Sequence, residues 1–179
     1  MRARKVMMVG VVVAVAAALA GSLATAGPEG TLNPGDPLPA WSMTDHTGAT
    51  VRSADLAGKR YLLWFYPKAM TSGCTAEGCA LRDSFAEFQR LGVEVLGVSF
   101  DRPDRNAEFV KENSFPFRLL TDADKALAIA LGAADSDKRL FPRRISYLVG
   151  ADGKVLRSYA QVDPATHARQ VLDDLATIR

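Results

Sequence analysis

Tyr61-Leu-Leu-Trp-Phe-Tyr66 is an unbroken apolar and aromatic run that reads as a buried strand. The chain leaves it through Pro67-Lys-Ala-Met-Thr71-Ser-Gly-Cys74-Thr-Ala-Glu77-Gly-Cys79 and continues as an amphipathic helical pattern. Both cysteines of the protein therefore lie at one strand-to-helix corner, within six positions. Backbone N–H groups without an intrahelical partner point outward at such a corner, and the helix dipole favours negative charge there. A thiol in that first turn is favoured as thiolate, its nucleophilic form.

The rest of the chain reads as scaffold for this corner. Arg2, Arg4 and Lys5 precede an uncharged run over residues 6–21, and Ala24-Thr-Ala26 follows with the small-residue pattern of a cleavage site, so residues 1–26 are expected to be a secretory signal peptide. The apolar run is shorter than the ~20 residues a spanning helix needs, which argues against an uncleaved membrane anchor. Removing the signal takes away three basic residues and no acidic one, so a net charge of +2 becomes about −1. No basic patch remains to argue for nucleic acid or a membrane surface as partner. Gly- and Pro-rich residues 27–34 read as a flexible tether, and residues 35–179 as one domain exported to the bacterial periplasm.

Within that domain Trp41-Ser-Met-Thr-Asp45 and Ala49-Thr-Val-Arg52 flank the turn His46-Thr-Gly48 and predict an N-terminal hairpin. After the cysteine corner, Leu81, Phe85, Phe88 and Leu91 form one stripe of a helix expected over residues 73–91. Val93-Glu-Val-Leu-Gly-Val-Ser-Phe100 reads as a central parallel strand, and Pro103 suits the first position of a helix that ends near Asn113. A short strand at Phe117-Arg-Leu-Leu120 precedes a helix capped by Thr121-Asp122 and ending at Gly132. Ile145-Ser-Tyr-Leu-Val149 and Lys154-Val-Leu-Arg-Ser-Tyr159 make a hairpin about Asp152-Gly153, and Asp163-Pro164 opens a last helix. This order predicts an α/β domain, a mixed central sheet with helices on both faces, whose ligand crevice lies at the carboxyl ends of the strands, where Cys74 falls.

A nucleophilic cysteine needs more than helix-terminal amides, and a cation is the natural addition. The Arg143-Arg144 pair is the best candidate in the chain. Thr71 offers a hydroxyl to a thiolate or to a substrate oxygen, and Pro67, which has no N–H, can wall the pocket against water. Cys74 and Cys79 are five residues apart. On an intact helix they differ by ~140° and ~7.5 Å of rise, which puts their Cα atoms about 8.7 Å apart, beyond the ~7 Å limit for a disulfide. Pairing requires unwinding, which Gly78 makes cheaper, so the spacing predicts a reactive and a resolving cysteine that join only after oxidation.

Pro67-x-x-x-Thr71-x-x-Cys74 resembles the active-site signature of the peroxiredoxins. Cys74-Thr-x-Glu77-x-Cys79 followed by Leu-Arg-Asp83 resembles the peroxiredoxin Q subfamily, also called bacterioferritin comigratory protein. Gly35-Asp-Pro, Gly97-Val-Ser-Phe-Asp101 and Arg144-Ile-Ser-Tyr-Leu-Val149 extend the similarity from about Gly35 to the C-terminus. The resemblance implies a thioredoxin fold with an N-terminal hairpin extension and a thiol-dependent peroxidase. It implies that Cys74 attacks hydrogen peroxide or organic hydroperoxides to give a sulfenic acid, and that Cys79 resolves it as a Cys74–Cys79 disulfide. It implies that Thr71 and Arg144 bind the peroxide, that Glu77 orients Arg144, and that Pro67 shields the thiolate. No cofactor or metal is implied. An intramolecular resolving cysteine removes the need for a second subunit, so a monomer is expected, re-reduced by a thioredoxin-like donor. Two departures from the subfamily pattern are Ser72, where Pro is frequent, and residues 133–141.

Three other readings compete, one of them a purely structural binding domain, which the cysteine geometry disfavours. An exported thiol–disulfide oxidoreductase of the same fold would use Cys-x-x-Cys, and four intervening residues disfavour it. A metal carrier would need Cys74, Cys79 and a histidine, but His46 is expected in a turn and His167 on the last helix, both at the surface.

Overall fold

A computed structural model describes residues 30–178. The chain forms β1 (Ser42–Asp45), β2 (Thr50–Arg52), β3 (Arg60–Phe65), α1 (Ser72–Asp83), α2 (Phe85–Arg90), β4 (Val93–Ser99), α3 (Pro103–Asn113), β5 (Arg118–Thr121), α4 (Ala126–Ala130), β6 (Ile145–Val149), β7 (Val155–Tyr159) and α5 (His167–Thr177). A 3-10 turn, Ser53–Leu56, follows β2. The strands make one seven-stranded sheet in the order β2-β1-β5-β4-β3-β6-β7. β4 is parallel to both β3 and β5, and the other pairings are antiparallel. No helix among the described residues is long and apolar enough to cross a membrane.

Alternation along β3 divides the core in two. Tyr61, Leu63 and Phe65 face a cluster with the N-terminal hairpin and α4, including Trp41, Met43, Leu127 and Leu131. Leu62, Trp64 and Tyr66 face the other cluster, with Cys74 and Leu81 of α1, Phe88 of α2, Phe109 of α3 and Val171 of α5. Burying both faces is why β3 reads as a continuous apolar run. Each fully buried aromatic contributes about 1.5–3 kcal/mol of transfer free energy.

The structure corrects several sequence expectations. The helix expected over residues 73–91 is two helices, broken at Ser84, whose φ of −96° and ψ of 1° stand at the C-cap of α1 and the N-cap of α2. The change of direction still lets Leu81 and Phe88 both reach zero exposure. Thr121 belongs to β5 and does not cap a helix; α4 begins only at Ala126, and Asp122 caps it from a distance, its Oδ2 accepting the Ala128 N–H at 2.7 Å. The tether expected over residues 27–34 is ordered against the domain where it is described. Thr31 is buried, Leu32 N donates to the Tyr147 hydroxyl at 3.3 Å, and the Ser158 hydroxyl donates to Leu32 O. The signal peptide expected over residues 1–26 lies outside the described residues.

Gly78 has a packing role that its spacing did not reveal. A Cβ built on it would stand 2.4 Å from Cζ of Phe115, so the residue lets α1 close on the aromatic cluster of Phe109, Phe115 and Phe117. Gly78→Ala is therefore expected to lower stability by about 1–3 kcal/mol despite the better helix propensity of alanine. Urea unfolding of the reduced protein would measure it, and an alanine variant as stable as wild type would contradict the contact.

Candidate active site

The corner predicted from sequence is formed by the end of β3 and the start of α1. Thr71 is the N-cap residue of α1, with extended backbone, and Cys74 lies in the first turn, where N–H groups have no intrahelical partner. The approach to it is held in place from β4. The Ala69 N–H donates to Asp101 Oδ2 at 2.8 Å, and Asp101 N–H donates to Ser99 Oγ at 3.1 Å. Met70 adopts a φ of 66°, a left-handed conformation that costs a non-glycine residue about 1 kcal/mol or more. Its place immediately before Thr71 aims the chain into the helix.

Arg144 reaches this corner from the residue before β6. Its Nη2 donates to Cys74 Sγ at 3.3 Å, and its Nη1 donates to Glu77 Oε2, so one planar guanidinium spans the thiol and the carboxylate. Arg143 instead turns toward Asp135, 3.9 Å away. The antiparallel register of β3 and β6, with Phe65 opposite Ile145, brings Arg144 to the carboxyl end of β3. Gly73 completes the fit: a Cβ there would lie 3.2 Å from Arg144 Nη2. Cys74 and Glu77 are fully buried, and the Arg144 side chain is 19% exposed. Low local polarisability makes each charge count for more than it would in water.

Burial pushes the Glu77 carboxyl up to about 7, against the opposing pull of the Arg144 charge and hydrogen bond. Burial also works against the charge on Arg144, but Glu77 and Cys74 outweigh it and raise its pKa above the ordinary guanidinium value. The guanidinium is thus a permanent cation beside the Cys74 sulfur.

The remaining predicted residues are placed differently. Thr71 is exposed, and its hydroxyl donates to Lys68 O at 2.9 Å, a local turn that steadies the loop; it makes no hydrogen bond to Cys74 or to the helix terminus. Pro67 is half-buried where the chain leaves β3. Cys79 is half-buried on the same helix as Cys74, with Sγ 3.9 Å from Asn113 Oδ1 at the end of α3. Both thiols are free, as the separation on an intact helix requires. Residues 133–141 meet the loop that leads into α1, where Lys68 Nζ lies 5.5 Å above the ring of Phe141.

His167 is not at the surface, contrary to the sequence expectation. It is fully buried, with Nε2 3.0 Å from Ser146 Oγ and 3.9 Å from Glu77 Oε1. Burial pushes its pKa down to about 4, the Gln170 side chain opposing and the Arg144 charge adding to the fall. The signal was present in the sequence: His167, Val171 and Leu175 recur every four residues on the apolar face of α5. Ser146, the one small polar side chain in the apolar strand β6, is the other member that sequence reasoning missed. His46 accepts the Leu119 N–H at 3.3 Å in the turn between β1 and β2.

The two buried groups act oppositely on stability. Glu77 binds protons more readily folded than unfolded, so its contribution falls as pH rises from its ordinary value of 4.5 to about 7. His167 binds them less readily folded, so its contribution grows between about 4 and its ordinary 6.5.

Comparison with known proteins adds to this geometry. The AhpC/TSA family model matches residues 34–158. The chain belongs to the AhpC/TSA family. Among its relatives, the peroxiredoxin Bcp of Escherichia coli K12 is 36% identical over 148 residues, 79% of this chain and 94% of that one. The peroxiredoxin Bcp of Bacillus subtilis is 31% identical over 150 residues, 81% and 96% of the two chains. Among solved structures, the peroxidoxin BcpB of Mycobacterium tuberculosis is similar with a TM-score of 0.76 and 32% identity, covering 82% of this chain and 97% of that one. Peroxiredoxin Q of Xanthomonas campestris gives 0.72 and 30%, covering 76% and 90%. The fold is that of the thioredoxin-like peroxiredoxins, and the chain is a thiol-dependent peroxidase, an oxidoreductase.

Proposed function

We propose that Cys74 is the peroxidatic residue and that Cys79 resolves it. The observation that carries this is the single guanidinium of Arg144, held on Glu77 and donating to Cys74 Sγ at 3.3 Å at the N-terminus of α1. The Cys74 thiolate attacks one oxygen of a peroxide and the O–O bond breaks. Sulfur gives up two electrons and becomes a sulfenic acid, while the leaving oxygen takes a proton and departs as water or alcohol. Charge grows on both oxygens as the bond lengthens, and Arg144 is placed to stabilise it in the manner of an oxyanion hole. The Thr71 hydroxyl, released from Lys68 O, is the second donor to the peroxide, and Pro67 limits water at the sulfur.

Resolution follows when α1 unwinds. The Cys79 thiolate attacks the Cys74 sulfur, the sulfenic oxygen leaves as water, and a Cys74–Cys79 disulfide remains. A dithiol of the thioredoxin type returns both sulfurs to thiols and is itself oxidised to a disulfide. Organic hydroperoxides are included among the substrates, in keeping with the alkyl peroxide reduction named for the bacterioferritin comigratory protein of Xanthomonas campestris, to which this chain is 28% identical. The sequence of residues 1–26 supports export, so the donor works in the bacterial periplasm, and the intramolecular disulfide is compatible with a monomer that has no stable membrane association.

Mass spectrometry of the reduced protein lacking residues 1–26, after one equivalent of hydrogen peroxide, tests this reading. A Cys74–Cys79 disulfide is expected within seconds; thiols that survive excess peroxide for minutes would refute it.

A further inference from the structure

Glu77 is fully buried and uses only one of its two carboxylate oxygens. Oε2 receives Arg144 Nη1, whereas Oε1 has no hydrogen-bond partner among the described residues. An unmet carboxylate oxygen in the protein interior is costly, so a donor placed beside it weighs heavily. Behind it stands His167, also fully buried, with Nε2 3.9 Å from Oε1 and 3.0 Å from Ser146 Oγ. Among the described residues the Nδ1 atom of the same ring has no hydrogen-bond partner. Three elements therefore meet behind the reactive cysteine: α1 with Glu77, β6 with Ser146, and the start of α5 with His167.

We propose that His167 is a positioning residue for the peroxidatic centre, presenting Nε2–H between Ser146 Oγ and Glu77 Oε1 so that Oε2 stays on Arg144 and Arg144 stays on Cys74. The inference rests on the roles of Cys74 and Arg144 given above. At 3.9 Å the imidazole acts on the carboxylate as an oriented dipole, and an approach of about 1 Å makes a hydrogen bond. The ring must be neutral to serve as one fixed tautomer, and its pKa of about 4 keeps it so. Of the other groups that face it, the Gln170 side chain opposes that state, but burial and the Arg144 charge outweigh it. Arg144 approaches from the residue before β6 and disfavours a second positive charge. On β7 the ring of Tyr159 packs edge-on at 5.1 Å, its hydroxyl bound to Asp174 Oδ2 at 2.8 Å, and Gln170 lies on α5 itself.

The tautomer is the first test. Nitrogen NMR of the reduced protein should show His167 protonated at Nε2 and bare at Nδ1; a ring protonated at Nδ1 overturns the proposal, because Nε2 would then accept from Ser146 and offer Glu77 nothing. Variants supply the second. His167→Leu should raise the midpoint of Glu77 protonation, read as the carbonyl band lost in Glu77→Gln, by about one pH unit. It should also lower kcat/KM for peroxide about tenfold at neutral pH and carry the acid limb of the pH profile upward with it. His167→Gln, whose amide N–H can occupy the Nε2 position, should restore most of both. An unmoved midpoint in His167→Leu, or a Gln variant as shifted as Leu, overturns the proposal. Should His167→Leu not fold, Ser146→Ala decides, because an Nε2–H released to Glu77 alone must lower the midpoint, and a rise or no change counts against it. The NMR and infrared readings need no peroxide, so they stand even if Cys74 proves unreactive, which would overturn the peroxidatic assignment instead.

Discussion

Cys74→Ser is expected to abolish peroxide reduction, lowering kcat/KM by on the order of a thousandfold or more, because a serine hydroxyl is neither ionised nor soft enough to attack the O–O bond. Its stability should change little, since the serine hydroxyl is nearly isosteric and can accept from Arg144 Nη2 where the sulfur does. Cys79→Ser should behave differently. Its first turnover proceeds at the wild-type rate and stops at a Cys74 sulfenic acid, which a dimedone probe traps and which excess peroxide carries on to sulfinic acid. Rapid-mixing measurement of the first turnover separates the two variants. Equal steady-state turnover by wild type and Cys74→Ser would refute the nucleophile, and a slow first turnover in Cys79→Ser would show that Cys79 takes part before resolution.

Arg144→Met should be the next most damaging change, lowering kcat/KM by about 10²–10³-fold, the usual loss when one donor to developing charge is removed. The side chain leaves two gaps at once, because Nη2 meets Cys74 and Nη1 meets Glu77. Glu77 would then be buried without its cation, and with a pKa already near 7 it should be protonated at neutral pH. Arg144→Lys distinguishes geometry from charge. One ammonium cannot span both partners as the planar fork does, so lysine should recover little of the lost activity. A lysine enzyme within a few-fold of wild type would show that charge alone suffices. Gly73→Ala should mimic a fraction of this loss, as its Cβ would press on Nη2 from 3.2 Å.

The elements that depend on local periodicity were the ones sequence could place. β3 and β6 follow their apolar runs, α3 begins at Pro103 and ends at Asn113 with Ser114 left-handed, and α5 carries Val171, Leu172 and Leu175 inward as its spacing requires. The misses occurred where two local tendencies competed. Residues 72–90 share one apolar stripe, yet the helix breaks at Ser84, and Asp122 stabilises the first turn of α4 from outside the helix. Leu32 is bound through Tyr147 and Ser158, more than a hundred residues away, and a pattern read over a short window carries no trace of that.

The cysteine corner shows the same division. That Cys74 opens a helix after a buried strand, and that Cys79 cannot reach it while the helix stands, follow from spacing and helix geometry, which are properties of neighbouring residues. That Arg144 rather than Arg143 stands at the sulfur depends on which way β6 runs beside β3 and in what register, since a shift of one residue reverses every side chain. The burial of His167 behind Glu77 depends on how α5 packs across α1 and the sheet, and that burial turns a histidine expected at the surface into a neutral dipole within 3.9 Å of the carboxylate. Local geometry thus points to the candidate nucleophile, but the charges around it come from segments far apart in the chain, and burial on folding is what gives those charges their strength.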